Sequence, residues 1–208
     1  MIFSGKMFVL NRKLSYICLI PMSDMDDMME KIELTVQEVS KGLSYKDVYV
    51  LLLREVNGER RMPMMVGAEE AKMVVSKIRP NQVPLNGLPD LFCRLTNLYD
   101  IILEEVLIYK VDNGAFRAFL FLYRDGLTER IEGRASDAVV LALTYGRPIY
   151  ISKNLFDRQY MREMGGGAVS LPINSLNVAL LREALDNAIR EENYELASQL
   201  RDELNRRK

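Results

Sequence analysis

The chain has 208 residues, of which 49% are hydrophobic and 27% are charged, and its formal net charge at pH 7 is -1. This size allows one domain of about 100 to 150 residues and a smaller unit, and the near-neutral balance requires a local basic patch for any nucleic-acid binding. Histidine is absent, which excludes Ser-His-Asp and Cys-His catalysis and all His-containing metal sites.

The first residues are interpreted as lying ahead of the folded part. Basic residues precede an apolar run from Leu14 to Ile20, but this run is far shorter than the roughly 20 residues that span a bilayer. Residues 1–24 are therefore expected to be an N-terminal extension or a wrongly assigned start, with no membrane association. Cys18 and Cys93 are the two cysteines, too few for a disulfide framework, which favours a cytoplasmic location.

The first half of the predicted domain is a strand, a hairpin and a helix. Apolar and polar residues alternate from Lys31 onward, the pattern of a half-buried strand. The segments "VYVLLLREV" and "ERRMPMMV" flank Asn57-Gly58, a dipeptide that favours a type I′ hairpin turn. The stretch "GAEEAKMVVSKI" predicts a helix whose inward residues are Met73, Val74 and Ile78.

A second helix is predicted after the loop "RPNQVPLNG", and its apolar spacing leads us to expect that it covers the sheet. Another hairpin surrounds Asn113-Gly114, and a shorter strand follows Asp125-Gly126. A buried helix from about residue 135 to 145 ends before a capping glycine, and "IYIS" is the last strand. The apolar residues of the second helix are Leu88, Leu91, Phe92, Leu95, Leu98 and Tyr99.

Together these elements predict an α+β domain over residues 25–157, with helices packed on a mixed, largely antiparallel sheet. Residues 158–174 contain three consecutive glycines without periodicity and predict a flexible linker. Residues 175–208 carry two apolar helical stripes around Glu192-Asn193 and predict an α-helical hairpin. Two four-turn helices alone bury too little surface to persist in water, so we expect docking on a protein partner or self-association as a homo-oligomer.

Three stretches resemble the successive signatures of the bifunctional nuclease (BFN) domain family, in the same order. They are "MPMMVGAEEAKMVV", "VPLNGLPDLF" and "GRASDAVVLALTYGRPIYIS", and the likeness covers roughly residues 31–157. The tail resembles the UVR motif, a helical hairpin first noted in excision-repair proteins, through "AIREENYELASQLRDEL". The resemblance implies an α+β fold and hydrolysis of phosphodiester bonds in DNA or RNA, with the UVR hairpin serving protein association.

The polar signature residues of the BFN family fall on a small set of positions in this chain. The resemblance implies that five of them are catalytic. The sequence departs from the family pattern at "VPLNGLPD", which lacks the family's Arg and His, and at "RASD", which replaces Arg-Pro-Ser-Asp. A His beside an Asp is a natural general base or metal ligand, and nothing at Asn86 or Gly87 replaces it. The signature positions are Gly67 and the five implied catalytic residues, Glu70, Asp90, Arg134, Ser136 and Asp137.

Three of these side chains are candidate ligands for Mg²⁺, which prefers oxygen ligands: Glu70, Asp90 and Asp137. Two such ions can stabilise both the attacking and the leaving oxygen of a phosphodiester. For two ions about 4 Å apart, the three carboxyl groups are expected to lie within about 8 Å of one another. Arg134 could then neutralise the charge that grows on the phosphate.

Two alternatives stay open at this point. Each candidate carboxylate lies at the start of a predicted helix, where it can complete a cap without catalysis, and Ser136 and Asp137 suit a helix start. The protein can also be a non-catalytic adaptor, in which the BFN domain is a scaffold and the UVR tail recruits a partner. The pI of about 5.7 and the missing His favour the adaptor, whereas the matched motifs favour a nuclease.

Overall fold

The computed structural model describes residues 30–41, 48–81, 87–164, 168–170 and 172–207. The predicted N-terminal extension and the glycines at 165–167 lie outside these residues. The domain strands are β1 Lys31–Lys41, β2 Val48–Glu55, β3 Arg61–Gly67, β4 Ile102–Asp112, β5 Ala115–Arg124, β6 Leu127–Arg134 and β7 Ile149–Ser152. The domain helices are α1 Ala68–Ile78, α2 Leu88–Leu98, α3 Ala135–Tyr145 and α4 Lys153–Gln159.

The seven strands form one mixed sheet in the order β3-β2-β1-β7-β4-β5-β6. Every neighbouring pair is antiparallel except β4 and β7, which run parallel. This confirms the predicted α+β fold. The predicted last strand, β7, lies in the middle of the sheet, where Ile149 pairs with Leu34 on one side and Val106 on the other.

Two hairpin turns have the geometry that their dipeptides predict. The φ angles are 50° and 81° at Asn113 and Gly114, and 51° and 80° at Asp125 and Gly126. Positive φ at both central residues is the requirement of a type I′ turn, which matches the twist of the flanking strands. These turns set the registers of β4 with β5 and of β5 with β6.

The type I′ prediction for Asn57-Gly58 is wrong. Neither residue has a positive φ, and the connection is longer, with the Glu55 N–H donating to the Arg60 carbonyl over 3.0 Å. The Arg60 guanidinium also binds the Glu55 carboxylate at 2.9 Å. This side-chain pair closes a wider loop than the dipeptide alone would favour.

The core lies between the sheet and the helices α1 and α3. In α1, Ala71 and Val74 are buried, and Met73 packs against the core from a partly buried position. Helix α3 is apolar nearly all round, with Ala138 and Val139 fully buried, because it lies between α1, α2 and the strands β4 and β5. It ends at Gly146, whose φ of 62° provides the predicted left-handed cap.

Helix α2 does not cover the sheet, so that prediction is wrong. It packs on α3 instead, and its buried residues are Pro89 and Thr96. The helical period was correct, but α1 and α3 already cover the strands on this face of the sheet. The predicted core leucines are therefore exposed: Leu88 by 76%, Leu91 by 62%, Leu95 by 50% and Leu98 by 74%.

We infer from one side-chain contact that the sheet is bent. As the two edge strands, β3 and β6 would lie about 29 Å apart in a flat sheet, at roughly 4.8 Å for each of the intervening spacings. However, Arg134 at the end of β6 reaches Glu70, one turn beyond the end of β3, with a nitrogen–oxygen distance of 3.0 Å. Irregular registers in β1 and β4 are typical of bulges that bend and twist strands.

The C-terminal hairpin is present as predicted and consists of α5 Val178–Arg190 and α6 Tyr194–Arg206. The side chains of Asn177 and Asn193 accept from the N–H groups of the first turns and cap both helices. Glu192 has a φ of 56° in the turn between them. The two stripes pack on each other through Leu181, Ala188, Ala197 and Leu200.

The segment expected to be a linker contains short elements of its own. Residues Arg162–Met164 (β8) pair antiparallel with Ala168–Ser170 (β9), and a 3-10 turn follows at Ile173–Ser175. The contact with the domain follows just after this segment, at the start of the predicted hairpin unit: a Cβ added at Gly114 would lie 2.5 Å from the Leu176 carbonyl oxygen. No helix in the described part of the chain is both long and apolar enough to cross a membrane.

Candidate functional site

The three candidate carboxylates occupy the same position in three different helices. The N-caps of α1, α2 and α3 are Gly67, Gly87 and Arg134. Each carboxylate is therefore the third helical residue after its N-cap. A negative charge there is stabilised by the positive end of the helix dipole, so all three positions have a structural reason to be acidic. The three residues are Glu70, Asp90 and Asp137.

Arg134 brings two of these carboxylates together. Its Nε and Nη2 donate to the two oxygens of Asp137 at 2.8 and 3.0 Å, and its Nη1 lies 3.0 Å from Glu70 Oε1. The side chains of Arg134, Asp137 and Glu70 are 57%, 45% and 17% exposed. The hydrogen bonds to the Asp137 carboxylate are the main cause that raises the pKa of Arg134. We call these three residues the Arg134 cluster.

The cluster lies where the N-termini of α1 and α3 meet. Neither helix has a side-chain hydrogen bond at its N-cap, so both keep free backbone donors and positive dipole ends. Ser136 is half-buried at the second position of α3, and no hydrogen bond of its hydroxyl is found within the described ranges. Uncapped helix N-termini beside a guanidinium favour a phosphate group.

Asp90 does not join the cluster. Its Oδ2 accepts from the Gly87 N–H at 3.1 Å, which is the N3-to-N-cap half of a capping box at the start of α2. Its Oδ1 accepts from Lys77 Nζ at 2.6 Å. The Lys77 ammonium lowers the pKa of this carboxyl below its usual range. The geometry of Asp90 is that of a cap and an ion pair between α1 and α2.

The expected cluster of three carboxylates is therefore not assembled in the described residues, where no three acidic or Cys side chains are placed to hold one metal ion. Two carboxylates remain, and both surround the Arg134 guanidinium, a position that already suits a positive charge. Mg²⁺ is commonly held by one or two carboxylates together with substrate phosphates and water. Glu70 and Asp137 are therefore the remaining candidate ligands for a single ion of this kind.

The opposite face of the sheet carries a cluster of aromatic rings and one arginine that the sequence analysis missed. Tyr109 stacks on Phe119 with a 4.2 Å centroid distance, Phe121 lies edge-on to Phe119, and Arg130 lies 4.7 Å above the Phe119 ring. These residues come from β4, β5 and β6 and are not contiguous in the chain. The available signal was the alternation in β5, where Phe119 and Phe121 point away from the buried residue Ala118.

Arg60 is a second residue that sequence reasoning missed. It binds Glu55 at 2.9 Å and Asp157 at 2.7 Å, and its guanidinium lies 4.7 Å from the Phe156 ring centroid. Because Asp157 is far away in the sequence, no local pattern could have indicated the contact. Arg60 thereby links the loop after β2 to α4, and none of these contacts involves the Arg134 cluster.

Comparison with known proteins agrees with the motifs. The sequence profile of the bifunctional nuclease domain matches residues 51–163, and that of the UvrB/uvrC motif matches residues 177–208. Two uncharacterized proteins, from two strains of Mycobacterium tuberculosis, are each 35% identical to the chain over 104 residues. The match covers 50% of this chain and 62% of each relative, so the chain spans less than two thirds of their length. Since the domain profile covers more than half of the 208 residues, the chain belongs to the bifunctional nuclease domain family and carries a C-terminal UvrB/UvrC motif.

Proposed function

We propose that the chain hydrolyses phosphodiester bonds of DNA or RNA at the Arg134 cluster. Membership of the family supports the reaction class. The observation that carries the location is the exposed Arg134 guanidinium between two carboxylates, at the meeting point of two uncapped helix N-termini. Such a place offers cationic and backbone donors for a phosphate and carboxylates for proton transfer.

Substrate binding uses the donors of the cluster. A phosphate group competes with Asp137 for Arg134, because that ion pair is solvent-exposed and so contributes little stability. The guanidinium can bind a phosphate through two parallel hydrogen bonds. The Ser136 hydroxyl and the free N–H groups of the first turn of α3 supply further donors.

The chemical step then uses the carboxylates. Asp137, the more exposed of the two, accepts a proton from the attacking water as the water oxygen bonds to phosphorus, and Arg134 stabilises the additional negative charge on the phosphorus oxygens. The P–O bond to the leaving sugar oxygen breaks, and that oxygen takes up a proton from solvent. Glu70 holds Arg134 in place from α1. Glu70 and Asp137 are the residues that would hold Mg²⁺, which supplies charge neutralisation at the phosphate when bound.

Cleavage of end-labelled single- and double-stranded DNA and RNA tests the proposal, with purified wild type and Glu70→Gln in Mg²⁺ and in EDTA. We expect the wild type to cut at least one substrate and Glu70→Gln to lose about 100-fold in rate, because Arg134 is no longer held in place for the phosphate and one candidate metal ligand is lost. EDTA is expected to abolish cleavage if the carboxylates hold Mg²⁺. Absence of cutting by the wild type under every condition contradicts the nuclease, and equal rates of both proteins contradict the location.

A second candidate function is a non-catalytic adaptor. The specific observation in its favour is that Arg134 is already paired with both carboxylates, which links the two edges of the bent sheet without any catalysis. The sequence also contains no His. If the wild type does not cut and Arg134→Met lowers only the unfolding temperature, the adaptor is supported and the nuclease is not.

In both cases we propose that the UVR hairpin recruits a protein partner, in the cytoplasm as the low cysteine content indicates. Its helices keep large apolar side chains in solvent: Ile189 is 51% exposed and Tyr194 68%. The hairpin has a hydrophobic core separate from that of the domain. Removal of the residues after Gly167 is therefore expected to leave the domain folded by circular dichroism and to lose partners in a pull-down. Unchanged partners would contradict this role.

A further inference from the structure

Helix α2 carries an exposed stripe of four leucines, which we call the leucine stripe. Leu88, Leu91, Leu95 and Leu98 follow one another at intervals of three, four and three residues. This is the a/d spacing of a heptad, the pattern of a helix that packs lengthwise against another helix. The leucines are 76%, 62%, 50% and 74% exposed, and the adjoining Tyr99 is 54% exposed.

The packing of α2 within the chain does not account for this stripe. The helix is attached to its neighbours through the opposite side, where Asp90 binds Lys77 and Thr96 contacts the Tyr145 hydroxyl. Its buried residues are Pro89 and Thr96. An isolated helix of this length is marginal in water, and most helices gain their stability by burying an apolar face.

We propose that the leucine stripe is the interface of a homodimer, in which α2 of one copy packs against α2 of a second copy. A stripe of a and d leucines is complementary to itself, as an interface between identical subunits must be. The charged residues of the helix, Asp90 and Arg94, occupy neither an a nor a d position. No charge of α2 is therefore buried when the two stripes meet.

The exposed apolar area of the leucine stripe is large enough for a dimer interface. At these exposures the leucines and Tyr99 present on the order of 500 Å² of apolar surface per copy, or about 1,000 Å² for the pair. This reaches the lower size of specific protein interfaces, about 1,000 Å². The patch of about 500 Å² on one copy also exceeds the few hundred Å² that monomeric proteins commonly expose in one contiguous apolar patch. The interface is distinct from the UVR hairpin, to which we assign partner recruitment.

Molar mass by light scattering on the full chain tests the dimer. The variant is Leu91→Gln with Leu95→Gln, because glutamine keeps the helix propensity of leucine and removes the apolar surface. The matched control is Val56→Gln, an apolar residue with 40% exposure in the loop after β2. At about 10 μM we expect twice the chain mass of 23.9 kDa for wild type and control. The double variant should show the single mass, with at least about a tenfold higher dissociation constant.

Two results would overturn the proposal. The first is a wild type that keeps the mass of a single chain up to about 100 μM, which shows that the stripe is not a dimer interface. The same result is expected if residues 1–24 cover the stripe. A double variant that keeps the mass of the wild type places the contact elsewhere. Equal far-UV circular dichroism shows that the variant is folded, and Leu98→Gln alone carries the same test if the double variant does not fold.

Discussion

Arg134 and Glu70 form an ion pair of 3.0 Å between the helices that follow the two edge strands of the sheet. These residues are 64 positions apart in the chain, and a flat sheet would keep their strands about 29 Å apart. The pair therefore depends on the bend of the sheet. The same bend places the free N-termini of α1 and α3 beside one cation, which is the arrangement on which the proposed phosphodiester chemistry depends.

Asp137→Asn should separate a structural role from a chemical one. At the third position of α3, Asn loses only the interaction of the negative charge with the helix dipole, and the lost ion pair is exposed, so the free energy of unfolding should fall by less than about 1 kcal/mol. The rate of cleavage should fall by about 100-fold, because Asn cannot accept the proton. Urea unfolding and a cleavage assay measure both, with Asp125→Asn in the exposed pair with Arg124 as the control. A wild-type rate would return Asp137 to a purely structural role.

Asp90→Asn should destabilise the fold in a pH-dependent way. Lys77 lowers the pKa of this carboxyl below its ordinary value of 3.8. Such a group stabilises the folded state above its unfolded pKa, and this contribution is lost as the pH falls through the lower folded pKa. The variant should be less stable than wild type by on the order of 1 kcal/mol at pH 7, and the gap should close below about pH 4.

Urea unfolding at pH 7, 5 and 3 measures this difference. Glu69→Gln is the matched control, because Glu69 pairs with Lys72 in a fully exposed position, with side-chain exposures of 78% and 63%. It should leave the stability unchanged within about 0.5 kcal/mol. A constant gap between wild type and Asp90→Asn at all three pH values would show that the ion pair with Lys77 does not stabilise the fold.

Gly114→Ala should weaken the contact between the domain and the hairpin. An added Cβ would lie 2.5 Å from the Leu176 carbonyl oxygen, whereas at Gly126 no atom lies within 4 Å. Both glycines have a φ near +80°, so Gly126→Ala bears the same backbone strain without the clash. We expect Gly114→Ala to lose about 1 to 3 kcal/mol more than Gly126→Ala. Faster hydrogen exchange at residues 172–177 should accompany the loss, and equal behaviour of the two variants would argue against the contact.

The elements of the fold follow from local patterns, but their arrangement does not. The Asn113-Gly114 turn and the Gly146 cap depend on backbone preferences of the residues themselves, and both are where the sequence predicts them. The central place of β7 and the exposed side of α2 depend on which surfaces meet in the folded chain. Periodicity shows that a helix has an apolar side without showing what covers it.

In the candidate site, too, the local positions of the residues could be predicted from the sequence but their contacts could not. The position of Glu70, Asp90 and Asp137 near helix starts was readable from the sequence, since acidic residues before apolar runs are typical of first turns. The sequence did not show which of these carboxylates bind the same cationic side chain. Lys77 and Arg134 each reach across between helices to a carboxylate, and such contacts are set by tertiary packing.

The most direct test of the proposed function is the cleavage rate of Arg134→Met compared with Arg124→Met. The two arginines are 57% and 55% exposed and each pairs with an aspartate, but Arg124 is the last residue of β5 and is outside the Arg134 cluster. On the best labelled nucleic-acid substrate, Arg134→Met should lose at least about 100-fold in rate, while Arg124→Met stays within about twofold of wild type, with both variants folded. Equal rates for the two variants would contradict the assignment of phosphodiester hydrolysis to the Arg134 cluster.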